Sequence, residues 1–196
     1  MIRRGFTLVE LLVTISIIGL LTGLFIPAVN RSLTNNNIAN DAELLGSKIE
    51  SARLLAGSTQ QFDQTTGAIG YYGIFISPAN NAAFYIVRLT GVAGSLSFDT
   101  NNCDVNVVKN QVSAGSGSCI VETVKLTNGV TITPANFQPD STNPFIIFKT
   151  PTQLIYSVNG DSAIAPVSNW EIDLKTSTKT ARVIVDMVSA KTNVTY

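Results

Sequence analysis

The apolar positions fall into three successive regimes. From Phe6 to Val29 the chain reads FTLVELLVTISIIGLLTGLFIPAV, 24 residues with one charge, Glu10. As a helix this run would be about 36 Å long, enough to cross a hydrocarbon core of about 30 Å. Beyond Pro27 the apolar residues space out to Ile38, Ala42, Leu45, Ile49, Ala52 and Leu55 or Ala56. Steps of three and four put these on one helix face, with Asp41, Glu43, Lys48, Glu50 and Arg53 on the remaining surface. Gly57 is the expected C-terminal stop. A continuous helix from Phe6 to Ala56 would extend about 75 Å.

From Tyr71 onward the period becomes two-fold. Strands are expected at Tyr71–Ile76, Phe84–Thr90, Val105–Lys109, Ile120–Leu126, Val130–Thr133, Phe145–Lys149, Leu154–Ser157, Trp170–Leu174 and Ala181–Met187. Asn128-Gly129 is the strongest hairpin signal, Asn159-Gly160 a second, and KTSTKT before Ala181 a third turn. Stretches 91–97 and 113–118 read as surface loops. One long helix followed by closely spaced strands predicts an α+β fold, with an antiparallel sheet or a small two-sheet head. The expected division is 6–29 for the apolar half of the helix, 30–57 for its amphipathic half and 58–196 for the β-rich head.

Composition narrows the chemistry. The chain has 196 residues, 13 basic against 13 acidic, and no histidine. That removes Ser-His-Asp and Cys-His nucleophiles and histidine-ligated metals, and two cysteines cannot close a four-cysteine zinc site. No cofactor is expected. Glu171 and Asp173 form a carboxylate pair, but their alternation with Trp170 and Ile172 reads as the solvated face of a strand. The balance from Glu171 to Tyr196 is too even for a strong phosphate-binding patch.

Arg3 and Arg4 precede the apolar run, whereas only Arg31 closely follows it. The positive-inside rule places the N-terminus in the cytoplasm and residues 31–196 outside. The run is too long for a cleaved secretory signal and lacks a small-residue cleavage site. A plain signal anchor fits the length but leaves Glu10 unexplained, since a carboxylate in lipid is costly and marks a functional site.

The segment Gly5-Phe6-Thr7-Leu8-Val9-Glu10-Leu11-Leu12 resembles the prepilin cleavage and methylation motif of type IV pilins and type II secretion pseudopilins. The resemblance implies that 1–5 is a leader, removed after Gly5 by a membrane aspartyl peptidase that then methylates Phe6. Counting from Phe6, Glu10 is fifth and Pro27 twenty-second, the family's positions for an assembly carboxylate and a helix-bending proline. Other pilins or pseudopilins in a helical filament, the prepilin peptidase and an inner-membrane assembly platform are the implied partners. The cut creates an ammonium on Phe6. Pairing it with Glu10 of a neighbouring subunit would relieve two buried charges together.

Pro27, Gly23 and Gly19 make a bend or local unwinding near 19–27 cheap, the alternative being that the glycines serve close helix packing. Residues 49–57, followed by Tyr72-Gly73-Ile74, loosely resemble H-type pseudopilins and FimT/FimU-like minor pilins. No cysteine pair brackets the C-terminal segment as in major pilins, which favours a minor or pseudopilin-type subunit. A pilin-borne module for DNA uptake or adhesion, and a membrane-anchored extracellular protein unrelated to filaments, are the alternatives.

Cys103 and Cys119, on the outer side, are expected to form a disulfide, with two buried free thiols as the alternative. Asp99, Asn101 and Asp104 offer oxygen ligands at calcium-loop spacing. Cys103 at the fifth position and the missing glycine and glutamate favour an Asx-rich turn instead.

Overall fold

The computed structural model describes residues 7–58, 69–91, 97–99, 102–136, 144–150, 153–159, 162–164, 169–186, 189 and 191–196; within the first helix, the side chains of 24–32 and of 34–35 fall outside the description. The fold is α+β. Helix α1 (Leu8–Ser58) is followed by ten short strands and a second helix, α2 (Val105–Ala114). Internal contacts divide the chain into two units, Met1–Asn37 and Ile38–Tyr196.

The first unit holds the start of α1, whose side chains from Thr7 to Gly23 are all exposed. In the second unit the helix is amphipathic, and Ile38, Ala42, Leu45, Ile49, Ala52 and Ala56 are buried, each at most 2% exposed. These are the positions that the three-and-four spacing selects. Two neighbours depart from it. Asp41, expected on the polar surface, is buried, and its carboxylate accepts hydrogen bonds from Thr127 N (2.9 Å) and Thr127 Oγ1 (3.0 Å). Gly57 lies inside α1 rather than ending it. A Cβ there would meet the flexible end of the Gln153 side chain.

Strands β1 (Ile69–Ile76), β2 (Ala83–Gly91), β3 (Ile120–Lys125), β5 (Phe145–Lys149), β6 (Leu154–Asn159) and β7 (Ser162–Ile164) form one sheet in the order β3-β2-β1-β5-β6-β7. Strands β4 (Thr131–Asn136), β8 (Trp170–Lys175), β9 (Thr180–Val185) and β10 (Thr192–Thr195) form a second, ordered β10-β9-β8-β4. Every pairing is antiparallel. Alternation along the six-stranded sheet feeds two cores. Ile74, Ile76, Phe84, Ile86, Ile146 and Phe148 join α1 and the inner face of the second sheet around Trp170. Tyr71, Phe75, Tyr85, Val87 and Ile147 point the other way, toward α2 and both cysteines. The central strands β1 and β5 are therefore covered on both faces, which explains their nearly continuous apolar runs. Gly73 sits where β1 meets β5, and a Cβ there would strike the backbone of Ile146 and Ile147.

Two expectations are corrected. Val105–Lys109 is not a strand but the first half of α2. Valines favour strands, yet Val105, Val108 and Val112 repeat at helical spacing and are buried. Asp104 caps the N-terminus by accepting from Val107 N (2.6 Å), and Gly115 closes the C-terminus at φ 79°. The second half of α2 also takes Ser113 and Ala114 out of the expected 113–118 loop.

Asn128-Gly129 is a turn, with Gly129 at φ 87°, but it does not make a hairpin. It carries the chain from β3 in one sheet to β4 in the other. By contrast, β6 and β7 form a hairpin across 160–161, and β8 and β9 pair across the KTSTKT turn. The short strands β7 and β10 were not expected. Of the 91–97 loop, Gly91 belongs to β2 and bridges to Phe98, while 92–96 lie outside the described residues.

Candidate functional site: the start of the N-terminal helix

Gly5 and Phe6 lie outside the described residues. From Thr7 the local chemistry is a capping box. Thr7 N donates to Glu10 Oε2 (2.9 Å), Thr7 Oγ1 donates to the same oxygen (2.9 Å), and Glu10 N donates back to Thr7 Oγ1 (3.3 Å). Leu11 N to Thr7 O (3.2 Å) is the first helical hydrogen bond. Glu10 thus has a partner inside its own chain, which the reading of the carboxylate as awaiting a cation does not include. The Thr-x-x-Glu spacing ahead of an apolar run is the signal that reveals it.

Beyond the cap, the helix is apolar on every described side. Leu8, Val9, Leu11, Leu12, Val13, Ile15, Ile17, Ile18, Leu20 and Leu21 are between 47% and 79% exposed. The hydroxyls within the run turn inward: Thr14 donates to Leu11 O (2.8 Å), Ser16 to Leu12 O (2.8 Å) and Thr22 to Ile18 O (2.7 Å). Such back-bonding removes the need for water, as a helix in an apolar medium requires. A Cβ at Gly19 or Gly23 would meet nothing within 4 Å, so both leave open notches on the surface. The helix is continuous through Gly19, Gly23 and Pro27. Among the described residues no helix is long and apolar enough to cross a membrane. The described side chains of the 6–29 run end at Gly23.

The head disposes of the other candidates. Cys103 and Cys119 are joined in a disulfide, with Cα atoms 5.6 Å apart, tying the start of α2 to the start of β3. Asp104 is committed to capping α2, and Asp99 accepts from Asn102 Nδ2 while its carbonyl accepts from Asn102 N (3.1 Å). Asn101 lies outside the described residues, and no cluster of metal-ligating side chains occurs among those described.

Glu171 and Asp173 share one guanidinium: Arg182 Nε and Nη2 grip Asp173 (2.7 and 3.2 Å), and Nη1 reaches Glu171 (2.7 Å). Lys175 Nζ stands 3.4 Å from Asp173. Asp173 is 5% exposed, whereas the Glu171, Lys175 and Arg182 side chains remain 30–48% exposed, so the expected solvated face is an open ion cluster around one covered carboxylate. Hydrogen bonding to Arg182, against the opposing effect of burial, lowers the Asp173 pKa from its ordinary value. The partner of this pair, Arg182, went unread because its register opposite β8 depends on the β8–β9 turn.

The first unit thus exposes an apolar helix surface from Leu8 to Leu21, and the second unit is an α+β fold. Residues 1–26 match the family model of the prokaryotic N-terminal methylation motif, the hallmark of type IV pilins and pseudopilins. The chain is pilin-like, and the motif points to a structural subunit rather than an enzyme. No curated protein and no solved structure matches it significantly.

Proposed function

We propose that this chain is a minor pilin or pseudopilin that polymerises through α1 into a type IV pilus or type II secretion pseudopilus. In this reading 1–5 is a leader cut after Gly5, and Phe6 becomes the methylated N-terminus. Residues 6–29 hold the subunit in the cytoplasmic membrane before assembly, with residues 30–57 as the amphipathic half of the helix and 58–196 as the extracellular or periplasmic head. The observation that carries the proposal is the helix surface from Leu8 to Leu21, exposed on all sides with one carboxylate a turn from its start. Each large side chain gains roughly 1.5–3 kcal/mol on being covered. A bilayer covers them first, and the helices of neighbouring subunits afterwards.

Cleavage supplies the switch. Within the subunit Glu10 is held by Thr7, which orients its carboxylate but leaves it charged. The Phe6 ammonium of an adjoining subunit neutralises that charge and sets the axial register between neighbours. Gly19, Gly23 and Pro27 supply the places where α1 bends or unwinds as helices close in. The mid-chain position of the disulfide, around α2 rather than the C-terminal segment, supports a minor or pseudopilin-type subunit. Mass spectrometry of subunits from sheared filaments, with immunogold microscopy of the same cells, tests the proposal. The expected product begins at a methylated Phe6. An intact Met1 in assembled material would overturn it.

A further inference from the structure

The edge strands of the two sheets are β3, β7, β4 and β10, and an edge with free backbone groups is a template for a further strand. Among the described residues, three of these edges are blunted. β3 carries Glu122 and Lys125 and a register shift beside Ile86 and Val87. β7 is only three residues long. On β4, Ile132 N already donates to Asn81 O (2.7 Å), and Pro134, the next residue turned the same way, has no N–H.

β10 differs. Asp186 N donates to Lys191 O (2.9 Å), which sets the alternation along the β9–β10 ladder. The backbone groups of Asn193 and Thr195 therefore turn toward β9, and those of Thr192 and Val194 turn away from it. The outward groups of Thr192 and Val194 have no partner among the described residues. The strand reads Thr-Asn-Val-Thr, without a charge, a proline or a bulge. It is also held in place. Val194 packs against the core, and a Cβ on Gly46 would stand 3.2 Å from Thr192 Oγ1, so α1 lies directly against this strand. One residue beyond β10, Tyr196 is 72% exposed.

A second copy of this chain offers the same open edge, so pairing between copies is β10 on β10, antiparallel about a two-fold axis. Directly opposed residues share a sheet face, so the axis passes through a residue and not between two. We propose that two copies join through β10 with this axis at Val194. Val194 then meets Val194 of the second copy through their outward backbone groups, Asn193 faces Thr195, and Thr192 faces Tyr196. No like charges meet, and the exposed Tyr196 ring gains a β-branched neighbour. That self-match selects a second copy over a foreign strand. An axis at Asn193 would carry Tyr196 past β10 of the second copy. The contact is small and of the transient class, so free heads at micromolar concentration stay apart. It uses no residue of the apolar run and stands or falls separately from assembly through α1.

The test uses the full chain in detergent at high protein concentration. Asn193→Cys and Thr195→Cys chains, one of them tagged, are mixed and oxidised with copper phenanthroline. These positions oppose each other as a non-hydrogen-bonded pair with Cα atoms about 4.5 Å apart, within disulfide reach. The mixed dimer should form at least about tenfold faster than dimer from either variant alone. Val194→Pro in both chains removes an outward N–H but no bond of the β9–β10 ladder, and should slow the cross-link at least about tenfold. Tyr196→Ala, exposed and outside the strand, should slow it at least about twofold. An unchanged circular dichroism spectrum and an intact Cys103–Cys119 bridge establish folding, and Tyr196→Ala carries the test if Val194→Pro does not fold. Absence of the mixed dimer, equal rates from the mixture and the single variants, or an undiminished rate in Tyr196→Ala or folded Val194→Pro would overturn the proposal.

Discussion

Replacing Glu10 by Gln separates two roles that the native carboxylate combines. Glu10 Oε2 accepts both the N–H and the hydroxyl of Thr7, each at 2.9 Å. A glutamine oxygen accepts the same bonds, and Gln is as suitable as Glu in a capping box, so the helix start loses no more than about 1 kcal/mol. The charge, however, is gone. If Phe6 of a neighbouring subunit relies on it, that ammonium is left unpaired in apolar surroundings, a loss of about 3–5 kcal/mol. At about 1.4 kcal/mol per tenfold, incorporation falls more than about a hundredfold. Thr7→Val makes the reverse change, removing the hydroxyl from the cap while keeping the charge, for about 0.5–2 kcal/mol of helix-end stability. The assay fractionates cells into membrane-resident cleaved subunit and sheared filaments. Glu10→Gln should be inserted and cleaved but excluded from filaments, whereas Thr7→Val should assemble with at most a modest deficit. Wild-type incorporation of Glu10→Gln would refute the charge-pairing mechanism.

Residues 30–196, freed of the apolar run, should be soluble and monomeric by sedimentation. In that fragment Asp41→Ala removes a buried acceptor of two Thr127 bonds and should cost about 2–3 kcal/mol in urea unfolding; no loss would contradict the anchoring of α1 to the β3–β4 turn. Changing Cys103 and Cys119 together to Ser should cost about 3 kcal/mol in the chain-entropy model, and native protein should show no free thiol on titration. Asp173 has its pKa lowered by Arg182, so its contribution is present above the ordinary aspartate value of about 3.9 and is lost as pH falls through the lower folded value; the urea midpoint of Asp173→Asn should therefore fall less steeply below pH 4 than wild type. Burial raises the Tyr71 pKa to about 12, so the unfolded chain ionises first and stability should drop between pH 10 and 12, with Tyr71→Phe flattening that decline.

The legible parts of the fold are those where local pattern and tertiary outcome share a cause. The buried face of α1 from Ile38 to Ala56 follows from helical spacing, and strands β1, β2, β5 and β8 from short β-branched and aromatic runs bounded by turn residues. The failures arise where a distant partner decides. Asn128-Gly129 specifies a tight turn but not which strands flank it, and β4 pairs with β8 instead of β3. The valines of 105–112 satisfy a strand preference and a helix period at once. Asp104, Gly115 and the bridge to Cys119 settle the outcome, and only the caps are local. Asp41 looks like a surface acid until Thr127 arrives from 86 residues away. At the N-terminus the motif names Gly5, Phe6 and Glu10 by position alone, whereas Thr7 has to be found from hydrogen-bond geometry.

Polar groups of α1 are satisfied differently in the two units divided at Asn37 and Ile38. On the head side, α1 is amphipathic; Asp41 reaches Thr127 and Lys48 reaches Glu122 at 2.6 Å, while Ser47, Ser51 and Ser58 bond back to carbonyls of their own helix. From Thr7 to Gly23 the polar side chains all return to their own helix. Thr14, Ser16 and Thr22 end on carbonyls of the preceding turn, and Thr7 and Glu10 satisfy each other. Hydrogen bonds closed in this way exert no pull on another molecule, and dispersion with neighbouring helices is individually weak. From Thr7 to Gly23 Glu10 carries the one charge, alongside the notches at Gly19 and Gly23. A charge adds to the register of packed helices an electrostatic preference that dispersion lacks, and conversion to Gln is the smallest change that removes it.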